Sequence, residues 1–230
     1  MEYVNTVQYA VSICLQALLL VLILRSYSNT YVVLFLYSAV YLITSAVEVF
    51  VSRSQGRRSP AYGNLYWFDE ILLDALLFVM VITLTFRAAS ESPIRAGVVK
   101  ILLVGLVVAV VLPFLFGNQP VVMRNGINRL SPRFFTRASQ ILNFSGAILN
   151  MALWTALLGS RTRDHRRLLV CAGVGIAVTG QALYYGIRLL SASDVVRIFA
   201  NFVNIITHIA GIAIWCIAFK PAKKPEAIAH

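Results

Sequence analysis

Apolar runs of roughly 20 residues, each interrupted by few charges, recur along the chain at 6–25, 31–51, 66–86, 98–116, 136–158, 168–189 and 198–219. A helix rises about 1.5 Å per residue, so each run can cross the ~30 Å hydrocarbon layer of a bilayer. The pattern predicts an all-α, polytopic membrane protein: one bundle of seven transmembrane helices occupying residues 1–230. The connections are too short for a soluble domain. Any activity must sit within the bundle or on its short loops.

In hydrocarbon the informative residues are the polar ones, because each needs a partner or a water-filled cavity. In the first run Asn5, Gln8, Ser12 and Gln16 recur at helical spacing, and in the second Tyr37, Tyr41, Thr44 and Glu48 do the same. The third opens Tyr66-Trp67-Phe68-Asp69-Glu70 and adds Asp74, one turn beyond Glu70 and on its face. The fourth has no polar side chain after Lys100 and reads as a peripheral, lipid-facing helix with a narrow seam at Gly105, Ala109 and Pro113. The fifth aligns Gln140, Asn143, Ala147, Asn150 and Trp154; the seventh aligns Asn201, Asn204, His208, Gly211 and Trp215. The sixth carries Gly173, Ala177 and Gly180 at close-packing spacing, then Gln181, Tyr184 and Tyr185.

Because successive helices cross in opposite senses, the ends of the even runs share a membrane side with the starts of the odd ones. Gln8, Glu48, Asp69, Glu70, Asp74, Gln140, Asn143, Gln181, Tyr184, Asn201 and Asn204 then gather on one side, with His208 deeper, near the midplane. The other half is almost wholly apolar. The alternation implies a polar cavity open toward the leaflet that holds the N-terminus.

Composition supports the membrane reading: 59% of residues are hydrophobic and 13% charged, against about a quarter charged in soluble domains. The net charge of +11 is spread over the loops, which suits anionic headgroups rather than nucleic acid. With the N-terminus outside, eleven of the 20 Lys and Arg residues fall on the cytoplasmic side, which favours an outside N-terminus and a cytoplasmic C-terminus. Met1–Val7 carries no positive charge and no small-residue cleavage site follows Arg25, so the first run reads as a retained helix. Cys14, Cys171 and Cys216 lie in apolar runs without paired spacing and read as packing residues.

Glu48, Asp69, Glu70 and Asp74 are the sharpest feature, since a carboxylate in hydrocarbon costs at least ~2.5 kcal/mol on insertion scales. Asp69, about one turn into its helix, suits hydration and the helix N-terminal dipole. Asp74 is deepest, and two readings stand beside each other: a salt bridge with Arg137 or Arg188, or a ligand, proton or ion site. His208, the one histidine within a run, reads as a hydrogen-bonded packing residue, as a metal ligand with Asp74 or Glu70, as a haem ligand, or as a proton carrier near Asp74. Seven-helix membrane zinc hydrolases draw on several membrane histidines, and this chain offers one. No lysine precedes Lys220 in the last run to bind retinal, and no phosphate-binding loop, nucleophile elbow or His-Glu-x-x-His pair occurs. The sequence specifies no cofactor.

Tyr62-x-x-x-Tyr66-Trp67-x-x-Glu70, Arg137 at the entry of the fifth run and the Asn-rich last run ending Ile214-Trp215 resemble a group of small, uncharacterised bacterial seven-helix membrane proteins. The resemblance runs the whole length and implies a fold and the bacterial inner membrane, with no activity to carry over. That group usually has a Tyr-Asn pair near the position of His208, and the departure weighs against catalysis there. The expected function is a non-enzymatic membrane module, either a receptor-like ligand binder or an accessory subunit of a larger membrane complex. Its partners would be lipids and other membrane subunits. A metal-dependent membrane hydrolase and a proton-coupled transporter are the alternatives.

Overall fold

The computed structural model describes residues 2–26, 31–56, 58–89, 100, 103–104, 106–107, 111–112, 115, 121–124, 127–158, 164–190 and 193–220. Among these residues lie six long helices: α1 (Glu2–Ser26), α2 (Val32–Gln55), α3 (Pro60–Ala89), α4 (Pro132–Leu158), α5 (His165–Leu190) and α6 (Asp194–Ala218). Between α3 and α4 lies an antiparallel hairpin of β1 (Val121–Arg124) and β2 (Ile127–Leu130), pairing Val121 with Leu130 and Arg124 with Ile127. The protein is otherwise all-helical among the described residues. Tyr9–Ser26, Val32–Gln55, Pro60–Ala88, His165–Arg188 and Asp194–Ala218 are long and apolar enough to span a bilayer, which makes this a multi-pass membrane protein. Of the fourth expected run, the described residues Leu103, Val104, Val107, Val111 and Leu115 are exposed, and the seam at Gly105, Ala109 and Pro113 lies outside the described residues.

Several helices begin earlier than their apolar runs because capping residues, rather than hydrophobicity, set their starts. Ser59 Oγ accepts the Tyr62 N–H at 3.1 Å ahead of Pro60, whose missing N–H costs nothing in a first turn. Asp164 Oδ1 accepts the N–H groups of Arg166 and Arg167 at 3.0 and 3.3 Å, starting α5 at His165. At the other end of α2, Gly56 adopts a φ of +80° and returns its N–H to the Ser52 carbonyl.

The helices pack in chain order, and α6 returns against α1 to close a ring, with α3 also touching α5 across it. Three ring contacts join α2 and α6 or the residues that cap them: Tyr31 with Phe219 at 5.0 Å, Tyr37 with Trp215 at 5.7 Å and Tyr41 with His208 at 5.3 Å. Ascending numbers in α2 meet descending numbers in α6, so the two are antiparallel. The closest crossing is α5 on α6. A Cβ on Gly173 would lie 2.3 Å from Trp215 Nε1 and 2.9 Å from the Gly211 carbonyl oxygen, so only hydrogen fits there. The Trp215 indole in turn donates to the Val170 carbonyl at 3.1 Å.

Burial is sorted inside out. In α1 the polar Ser12 and Gln16 are fully buried while Val11, Leu18 and Val21 face outward, as lipid contact favours. The apolar core, including Leu19, Leu34, Leu77, Val81, Leu153, Val170 and Ile212, fills the half of the bundle where α1, α3 and α6 end. The starts of α3 and α4 lie at the opposite end, since Asn64 Oδ1 in α3 accepts the Leu130 N–H at 3.0 Å just before α4.

Candidate ligand site

In the polar half, α3, α4 and α5 converge on Asp74. This residue is 2% exposed and faces Asn143 and Ser139, each 1% exposed. Four residues separate Ser139 from Asn143, so both point the same way from α4, and the Asn143 Nδ2 donates to the Ser139 carbonyl at 2.9 Å. That bond fixes the orientation of the amide. Asn143 Oδ1 and Asp74 Oδ2 are buried without a hydrogen-bond partner, and the Asn143 amide and Ser139 hydroxyl stand close enough to Asp74 to donate to its carboxylate, although by strict geometry Ser139 Oγ is unpartnered too. One turn before Asp74, the Tyr185 phenol of α5 donates to Glu70 Oε1 and Tyr66 lies against the same carboxylate, while Glu70 Oε2 is unpartnered.

A second polar group lies between α1 and α2. Tyr9 donates to Glu48 Oε2 at 2.5 Å, Tyr41 sits beside Ser12 and Ser45, and Asp69 of α3 sits beside Thr44 with its Oδ1 unpartnered. The carboxylates of Glu48, Asp69, Glu70 and Asp74 lie close enough to act on one another electrostatically. Deeper, His208 stacks on Tyr41 and its Nε2 is buried without a partner, as are Gln16 Oε1 and Nε2.

The ion pairs among the described residues leave these carboxylates out: Arg167 pairs with Asp164 at 3.8 Å and Arg197 with Asp194 at 3.6 Å, both near the surface. Among the described residues no ion pair joins Asp74 to Arg188. Arg188 is exposed, donates to the Tyr184 hydroxyl, lies 5.1 Å over the Tyr184 ring and acts on Glu70 from there. No three His, Cys, Asp or Glu side chains among the described residues come together in a way that could hold a metal ion.

The remaining expected positions divide. Gln181 and Asn204 are half-buried, each with its amide oxygen buried and unpartnered. Gln140 is half-buried on the flank of α4, whose buried stripe runs through Ser139, Asn143, Gly146, Asn150 and Leu153. Asn201 is exposed, with Ala200 taking the inward position. Gln8 lies in α1, but its side chain falls outside those described. Sequence reasoning missed Tyr9 and Ser139 and gave Tyr184 the place that Tyr185 holds. The Ser139–Asn143 spacing was the signal available for one of them.

Between α4, α5 and α6 a separate open groove of about 440 Å³ is lined by Asn150, Gly175, Thr179, Gly180, Leu183 and Thr207, among others. Comparison of the chain with family models, with curated proteins and with solved structures returns no match.

Proposed function

We propose that this chain is a seven-helix protein of a bacterial inner membrane, with the N-terminus outside and the C-terminus cytoplasmic, which works by binding a small ligand in its polar half. It would belong with the group that shares its Tyr66-Trp67-x-x-Glu70 motif, and would act as a receptor-like module or as the ligand-holding subunit of a larger membrane complex. The observation that carries the reading is Asp74, buried beside Asn143 and Ser139, with unpartnered oxygens at Asp74 Oδ2 and Asn143 Oδ1 and outside the ion pairs seen among the described residues. A bundle built only to pack would gain by placing Leu there, since each orphaned polar group costs about 1–3 kcal/mol and a lone carboxylate more. The converging groups are carboxyls, a carboxamide, a hydroxyl and phenols, a set suited to recognition. A nucleophile and base in hydrogen-bond contact, which covalent catalysis would need, are not among them.

Direction supports the seventh helix. The starts of α3 and α4 share one end of the bundle, tied by Asn64 and Leu130. A chain that leaves α3 at the far end and reaches β1 at the near end would cross the bundle once more in between. The 98–116 run is the apolar stretch available for that crossing.

Native mass spectrometry of the protein released from mild detergent tests the binding reading. The wild type is expected to retain a small bound species that Asp74→Asn loses, while both stay folded. Equal retention by both proteins, or none by either after direct extraction from membranes, would reject the site.

A further inference from the structure

We infer that the ligand is a small organic ammonium ion seated on Asp74, Asn143 and Ser139 and flanked by the Glu70–Tyr185 pair; this rests on the binding reading above. The chemistry of the unpartnered atoms points there. Asp74 Oδ2, Glu70 Oε2 and Asn143 Oδ1 are acceptors, and Ser139 Oγ can serve as one. One N–H of the Asn143 Nδ2 goes to the Ser139 carbonyl, which identifies that atom as the nitrogen and Oδ1 as the amide's unpartnered acceptor. A ligand that satisfies this set must bring N–H or O–H donors, and an ammonium group brings three and no acceptor.

Charge narrows the choice. Asp74 lies in the field of two further carboxylates, Glu70 and Asp69, and no cationic side chain is among the groups that act on it most strongly. Among the described carboxylates Arg188 acts on Glu70, and its guanidinium is engaged with Tyr184. A site with this balance rejects anions and gains from a cation, because buried opposite charges with satisfied hydrogen bonds interact far more strongly than exposed ones.

Shape narrows it further. The described carboxylates and histidine do not assemble into a group of three about one point, as inner-sphere metal binding would require. Tyr185 lies near enough to interact with both Asp74 and Glu70, and Tyr37 with Asp74 and Asp69, so two phenols stand in the neighbourhood of the acidic group. One turn deeper along α3, Leu77 and Phe78 are buried, so the chain is apolar beyond the carboxylates. Carboxylates, a carboxamide and phenols, with apolar residues one turn deeper, suit a protonated amine better than a hydrated or alkali cation.

The test titrates the purified full chain in neutral detergent with primary alkylammonium chlorides from methyl to butyl, the matching neutral alcohols, and sodium chloride, following heat of binding and unfolding temperature. At least one alkylammonium is expected to bind saturably and to raise the unfolding temperature, with neither its alcohol nor sodium chloride reproducing the effect. Asp74→Asn should weaken that binding at least about 10-fold, the scale of a lost charge-assisted hydrogen bond. Should that variant fail to fold, Glu70→Gln, which keeps an acceptor for Tyr185, should weaken it several-fold. Saturable binding of an alcohol in place of the amine would overturn the ammonium assignment and leave the binding reading standing. An equal response to sodium chloride would replace it with an inorganic cation. No saturable binding by any alkylammonium would overturn the inference, and with no small bound species in native spectra the binding reading falls with it.

Discussion

The α5–α6 crossing at Gly173 offers a prediction whose size can be worked from distances. In Gly173→Ala the new methyl would sit 2.3 Å from Trp215 Nε1 and 2.9 Å from the Gly211 carbonyl oxygen. Neither neighbour can give way cheaply, since the indole is held by its 3.1 Å bond to Val170 and the carbonyl belongs to a helix. Overpacking of this kind costs about 1–3 kcal/mol, and loss of the indole bond adds about 1 kcal/mol. Against this, Ala is the better helix former by about 1 kcal/mol. The net expectation is a loss of about 1–3 kcal/mol. Reversible unfolding in mixed detergent would measure it, with Gly63→Ala as the control. Gly63 lies in α3 with nothing within 4 Å of its would-be Cβ, so that substitution should be neutral or stabilising by up to about 1 kcal/mol. If both substitutions stabilise equally, α5 and α6 do not cross at Gly173, and the packing argument fails.

Trp215→Phe keeps an aromatic edge against Tyr37 but loses the bond to Val170, so unfolding should be easier by about 1 kcal/mol plus the smaller packing loss; no change would mean the indole N–H is unimportant. Asn64→Ala removes the acceptor for the Leu130 N–H and should speed hydrogen exchange at that amide without altering exchange in α6; unchanged exchange at Leu130 would separate the hairpin from α3. With Cys14, Cys171 and Cys216 replaced, Ser59→Cys and the exposed Arg133→Cys should react with an impermeant thiol reagent from the outside and Asp164→Cys from the cytoplasm. Reaction of positions 59 and 133 from opposite sides would show that residues 90–120 do not cross the bilayer.

Transmembrane runs are legible because bilayer thickness imposes one length on every crossing, and alternation sorted the polar residues by depth before any facing was known. Glu48 with Tyr9 and Asp74 with Asn143 lie at the same end for that reason. Facing was legible only to within one residue. Reading the α4 stripe through Gln140 placed it one position away from the buried Ser139, and the same shift in α6 chose Asn201 over Ala200. Gln140 and Asn201 are the ninth and eighth residues of helices that begin at Pro132 and Asp194, and they are half-buried and exposed respectively, so polarity alone does not mark the inner face there. The hairpin at Val121–Leu130 had a readable signal in Asn125-Gly126, the dipeptide favoured in tight two-residue turns. It was masked by an expectation of helices alone. Pairings such as Tyr185 with Glu70, 115 residues apart, depend on which helices become neighbours, and nothing local encodes that.

The central claim, that Asp74 is kept for a ligand and not for packing, is tested most directly by the unfolding free energy of Asp74→Asn against wild type, both exchanged into fresh detergent to strip bound small molecules. If the site serves binding, removing an uncompensated buried carboxylate should leave the stripped protein as stable as wild type or more so, because function at such sites is held at a cost to stability. If Asp74 is instead one half of a structural pair, the variant should lose about 3–5 kcal/mol, the penalty for breaking a buried ion pair. A loss of that size would contradict the account.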